Sequence, residues 1–131
     1  MTRSDYTPDP RLPSAVAAAD WTIANDGGTF RIGTSGRLIP ELRATGYAVG
    51  IHVGTFRTVA LGSPWTVADL AAALLAAADC QYVMRAEDGA RYVTGPAAVG
   101  TWVDDGIVHV DPVAIVDDRV TATSLGRSYN Q

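Results

Sequence analysis

Residues 101–112 read TWVDDGIVHVDP. The Asp105-Gly106 pair suits a two-residue type I′ turn, in which both central positions need φ > 0. A turn there pairs Asp104 with Ile107, Val103 with Val108, Trp102 with His109 and Thr101 with Val110. Side chains alternate across a strand. One face of the hairpin therefore carries Thr101, Val103, Val108 and Val110, and this is the core face. The other carries Gly100, Trp102, Asp104, Ile107, His109 and Asp111. Aromatic anchors among polar neighbours are enriched at protein interfaces. The second face is thus expected to be a contact surface. It meets either a partner or the N-terminal arm or last helix of its own chain.

Two further Asp-Gly pairs extend this reading. WTIANDGGTFRI (21–32) reads as a hairpin turning at Asp26-Gly27, with Ile23 facing Phe30 and Trp21 facing Ile32. CQYVMRAEDGARYVTG (80–95) reads as a hairpin turning at Asp88-Gly89, with Met84 opposite Val93 and Arg85 opposite Tyr92. GTSGRLIPELRATG (33–46) is a long connection punctuated by Gly33, Gly36 and Pro40. YAVGIHVGTFRTVAL (47–61) reads as one strand with a slip of phase near Gly54, where a bulge fits. Thr66 opens the clearest helix, with Asp69 in a capping-box position. Val67, Leu70, Leu74 and Ala78 follow its helical period to an end near Asp79. Pro112 interrupts after the third hairpin and PVAIV (112–116) forms a short buried strand. Asp117 or Asp118 caps a final helix through RVTATSLGRSYNQ, whose β-branched residues weaken it. Residues 1–13 hold three prolines and form an extended arm, and Ser14 caps a short helical turn. Three hairpins and one strong helix predict an α+β fold. It is a single domain over 14–131, an antiparallel sheet built from three hairpins with one main helix packed on it and a short C-terminal helix.

The chain has 131 residues, 47% of them hydrophobic, enough for a core in one domain of ordinary size. All ten basic residues are arginines, spaced along the chain, and the net charge is −4. Nucleic-acid binding leans on clustered basic side chains, so DNA and RNA are not expected partners. Lysine is absent while Ala, Gly and Arg are abundant, the signature of a GC-rich coding sequence. The single cysteine, Cys80, rules out an intrachain disulfide and a multi-cysteine metal site. MTRSDYTPDPRLP lacks a signal-type apolar run, and the Ala71–Ala78 run is too short to span a membrane. A cytoplasmic protein is expected.

Catalytic patterns are sparse. There is no G-x-S-x-G nucleophile elbow and no H-x-x-x-H pair for a metal. The aspartates 104, 105 and 111 do not match a calcium loop. The glycines of GGTFRIGTSG lack the Lys and Ser/Thr of a phosphate loop. Gly50 and Gly54 beside His52 mark a close approach by the Thr66 helix or by a second subunit. An enzyme or ligand-binding reading would rest on His52, His109 and Asp111, a His–Asp pair being able to orient a general base. It requires all three in one pocket.

From Val99 the chain resembles the C-terminal part of small uncharacterised proteins of actinobacteria and their bacteriophages. The shared residues are Trp102, Asp104, Gly106, Val108, Asp111-Pro112, Asp118-Arg119, Gly126-Arg127 and Gln131. The resemblance covers about a quarter of the chain, implies a phage or prophage setting, and carries no catalytic residues. The function expected on these grounds is a non-enzymatic protein–protein interaction module, a host- or defence-binding accessory protein or a virion component. Its partner is a protein, a second copy included, not nucleic acid, a membrane or a small molecule. No cofactor or metal is expected. The contact residues are Trp102, Ile107, His109 and Asp111, with Tyr6 of the Pro-rich arm.

Overall fold

The computed structural model describes residues 9–40, 47–52, 55–85, 88–116 and 118–128. In chain order its elements are α1 (Leu12–Asn25), β1 (Gly27–Ile32), β2 (Leu38–Pro40), β3 (Tyr47–Gly50), β4 (Arg57–Ala60), α2 (Thr66–Ala78), β5 (Tyr82–Arg85), β6 (Arg91–Thr94), β7 (Ala98–Asp104), β8 (Ile107–Val116) and α3 (Arg119–Ser128). The hairpin of β7 and β8 lies at the centre. Asp105 and Gly106 take φ of 52° and 73°, as a type I′ turn requires. All four pairings read from the sequence are present. β1 adds to the free side of β7 and β2 to β1, while β3 and β4 both add to the free side of β8. Every pairing is antiparallel.

All three helices pack on one face of this sheet. The even-numbered side chains of β8, Val108 and Val110, join Phe30, Val59 and Val99 beneath α1 and α2. Leu70 and Leu74 come down from α2, and Ala15, Ala18 and Ala19 from α1, all essentially inaccessible. A second cluster gathers Val49, Ile51, Ala114 and Leu125 where α3 meets β3 and the end of β8. The β5–β6 hairpin leans on it through Tyr82 and Met84. The fold is thus the expected α+β class, with helices on one side of an antiparallel sheet.

Several elements differ from the sequence reading. The first hairpin is a helix followed by a strand. Asp26 takes the left-handed conformation, φ 58°, as the C-cap of α1, and its N–H donates to the Thr22 carbonyl. Asp-Gly serves a helix stop as well as a hairpin turn, because both need φ > 0. The buried Ala15, Ala18, Ala19 and Thr22 follow helical spacing. Trp21 therefore packs over Gly28 rather than facing Ile32, and a Cβ at Gly28 would meet its ring at 3.1 Å. Helix α1 also absorbs Leu12 and Pro13 from the expected arm. Asp9 stabilises its start by accepting from the Arg11 N–H at 2.9 Å. Ser14 lies inside the helix, where its hydroxyl donates to the Arg11 carbonyl and accepts from the Leu38 N–H.

The long connection after β1 contains β2, paired back onto β1. The expected single strand over 47–61 is two strands that share β8 as neighbour. Its slip near Gly54 lies outside the described residues. The second hairpin pairs Met84 with Tyr92 and Val83 with Val93, one residue from the expected register. Its loop closes with Gly89 at φ 86° and the Ala90 N–H on Asp88, longer than a two-residue turn. Helix α2 begins at Thr66 as read, but the Thr66 hydroxyl donates back to Ser63 and Ala60 carbonyls. The Asp69 N–H bonds the Trp65 carbonyl instead of a capping-box side chain. Asp118 caps α3, accepting from the N–H groups of Val120 and Thr121 and from the Thr121 hydroxyl.

Pro112 does not interrupt β8. The strand pairs with β4 over 107–110 and with β3 over 113–116. The N–H that proline lacks would point to the β3/β4 side at the changeover, where the Pro112 carbonyl accepts from the Ile51 N–H at 3.1 Å. A central strand tolerates proline where no partner calls for its donor.

Candidate functional site on the second face of the sheet

The face turned away from the helices carries the odd-numbered side chains of β8 and the even-numbered ones of β7. Trp102 and Ile107 near the hairpin tip are 43% and 36% exposed. Trp102 stands directly opposite His109. Their rings stack, with centroids 5.0 Å apart and planes 6° from parallel. Helix α3 packs on the other side of the sheet and does not cover Trp102. Small side chains flank the pair: Gly27 opposite Trp102 on β1, Thr58 opposite His109 and Ala60 opposite Ile107 on β4. The indole and imidazole thus form a flat plate that stands above its surroundings.

One step inward the face closes over. Ile51 bonds Pro112 while Arg57 stands opposite Val110. Between them, Thr55 and Phe56 stand over the odd-numbered side of that strand, at His109 and Asp111. There Asp111, only 5% exposed, accepts from the Phe56 N–H at 2.7 Å. The Thr55 hydroxyl lies 3.3 Å from His109 Nδ1. His52 meets the Phe56 ring edge-on at 5.1 Å, and the Arg57 guanidinium sits 5.4 Å from the centre of the same ring. Burial raises the Asp111 carboxyl above the usual carboxylate range. The Phe56 bond and the charges of His52 and His109 pull it partly back.

The structure therefore gathers Trp102, Ile107, His109, Asp111 and His52 on one side of the sheet. Tyr6 lies outside the described residues. Asp111 acts on the backbone: its carboxylate accepts from the Phe56 N–H, and His109 Nδ1 meets the Thr55 hydroxyl. Gly50 stands on this second face opposite Val113, while α2 packs on the other face, so the Thr66 helix is not the element that Gly50 admits. Sequence alone does not single out Thr55, Phe56 and Arg57; the phase slip expected near Gly54 is their one signal. Among the described residues no three His, Cys, Asp or Glu side chains are grouped to hold a metal. A groove of about 610 Å³ lies elsewhere, along Arg119, Val120, Thr123, Ser124 and Arg127 of α3. No described helix is long and apolar enough to cross a membrane.

The fold and site define a class: an α+β domain with its helices on one side of an antiparallel sheet and an aromatic plate on the other. No protein-family model, no curated protein and no solved structure matches this chain.

Proposed function

We propose that this chain is a non-enzymatic protein–protein interaction module whose contact surface is centred on Trp102, Ile107 and His109. The observation that carries it is the stacked, half-exposed Trp102–His109 plate beside Ile107. A rigid aromatic anchor loses little conformational freedom on docking, and such residues dominate interface energetics. The second-face carboxylate, Asp111, supports the plate by fixing the segment that carries Thr55. The C-terminal resemblance suggests an actinobacterial phage or prophage setting, as a host- or defence-binding accessory protein.

The test is affinity capture from the source organism with wild type and Trp102→Ala side by side, both checked for unchanged melting. Specific partners are retained by wild type and lost by the variant. Identical capture by both proteins overturns the reading. Presence in purified virions at fixed copy number would favour a structural role for the same surface.

A second reading draws on both imidazoles acting on the Asp111 charge: a small hydrolase or ligand site at His52, His109 and Asp111. It requires a small molecule that shifts the ring signals of both histidines in an NMR titration. Binding that leaves either histidine unmoved removes it.

A further inference from the structure

We infer that copies of this chain associate head to tail, the tip of the β7–β8 hairpin of one copy seating on the outer face of α3 of the next. This rests on the interaction reading above and names a second copy as the occupant.

The tip is acidic and apolar. Asp104 and Asp105 are exposed there. The Asp26 carbonyl accepts from the Val103 N–H at 3.2 Å, which brings a third exposed carboxylate alongside. Trp102 and Ile107 present their partly exposed side chains next to them. None of these aspartates makes an ion pair among the described residues.

The outer face of α3 is complementary. Leu125 and Ala122 pack toward the sheet, and Leu125 is buried. Arg119, Val120, Thr123, Ser124 and Arg127 line the groove of about 610 Å³ on the opposite side. Val120 is 75% exposed, and neither arginine makes an ion pair among the described residues. Arg119 and Arg127 lie eight residues apart, about 12 Å along the helix axis, with Val120 next to the first and Thr123 and Ser124 midway. The Asp118 carboxylate at the start of the helix is turned to the N–H groups of Val120 and Thr121. Two cations with an exposed valine beside one of them complement a tip of carboxylates beside a partly exposed indole.

The two surfaces of one copy cannot meet. β8 runs from Ile107 at the tip to Val116, about 30 Å at the rise of a strand, and α3 packs at the Val116 end. The contact is therefore between copies. It joins different patches, so it either closes into a ring or extends as a filament. Apolar contact supplies the affinity, and the charges supply orientation and salt dependence.

Sedimentation equilibrium of the full chain tests this with a charge swap. The tip variant is Asp26→Asn/Asp104→Arg/Asp105→Asn, since Asn tolerates the left-handed backbone at 26 and 105. The helix variant is Arg119→Glu/Arg127→Glu. Wild type is expected to exceed the 13.7 kDa monomer mass as concentration rises at about 0.02 M salt, and to fall toward it at about 0.5 M. Each variant alone should associate about tenfold more weakly or not at all. An equimolar mixture should associate again, because the tip of one now complements the helix of the other. A wild type that stays monomeric at low salt overturns the inference. So do variants that associate like wild type, or a mixture that remains monomeric. A monomeric wild type that still captures a partner through Trp102 overturns the head-to-tail contact alone and leaves the interaction reading standing.

Discussion

Replacing Asp111 by Ala and by Asn separates two opposing effects at the same atom. The carboxylate is 5% exposed and its Oδ1 accepts the Phe56 N–H at 2.7 Å. Alanine removes the acceptor and leaves a partly buried N–H without a partner, at a cost of about 1–3 kcal/mol. Asparagine keeps an acceptor of the same reach and removes the charge. Asparagine should therefore exceed alanine in stability by about 1–2 kcal/mol, roughly 3–8 °C in Tm for a domain of this size. The pH dependence carries the second half. Burial raises the folded pKa of Asp111 above its ordinary value of 3.8. Between that value and the folded pKa the native state binds more protons than the unfolded one, so stability rises as pH falls through the window. Wild type should gain on Asp111→Asn as the pH is lowered toward 3.8. Thermal melts of the three proteins from pH 7 to pH 4 read both effects. Equal stability of the Ala and Asn variants would refute the role assigned to the Phe56 bond. A wild type that loses ground to Asn on acidification would show that the Phe56 bond and the two histidines together outweigh burial.

Three other perturbations follow from the same geometry. Gly27→Ala places a Cβ 2.6 Å from the Thr101 carbonyl oxygen at a φ of 138°; denaturant unfolding should show a loss of about 1–3 kcal/mol. Thr22 and Thr101 share a buried hydroxyl–hydroxyl bond of 2.9 Å between α1 and β7. Thr22→Val should cost about 1 kcal/mol, and the double Val variant less than the sum of the singles, in a double-mutant cycle. Arg11 bridges Asp9 and Asp79 at 2.8 and 2.6 Å, and its hydrogen bond holds the Asp9 carboxyl at about 2. That contribution is complete above the ordinary value of 3.8 and is lost as pH falls through about 2. The Tm of Arg11→Ala should accordingly fall less than that of wild type across this interval.

The hairpin of β7 and β8 was legible because two independent signals coincide there: a dipeptide suited to φ > 0 and strict apolar alternation on both sides. At Asp26-Gly27 only the dipeptide is unambiguous, and the same backbone angles end a helix. The deciding residues are the alanines at 15, 18 and 19, small side chains whose helical spacing shows only once a sheet lies beneath them. At 80–95 alternation fixed both strands but not the loop length, and a longer loop moved the register by one. Pro112 argued against a continuous strand because its tolerance depends on a tertiary fact, the exchange of β4 for β3 as neighbour. The plate of Trp102 and His109 followed from register alone. The contact of Asp111 with the Phe56 N–H did not, since it depends on β3 and β4 sharing β8 as neighbour, and neither strand names β8 as its partner in sequence.

The central claim is that the Trp102 side of the sheet is a protein contact surface, and photo-crosslinking in the source organism tests it most directly. A photoreactive residue placed at Ile107, 36% exposed, is compared with one at Ile23 on α1, 38% exposed. Position 107 should give discrete adducts, to a second copy or to another protein, and position 23 should give none. Adducts of equal yield from both positions, or none from 107, would contradict the account.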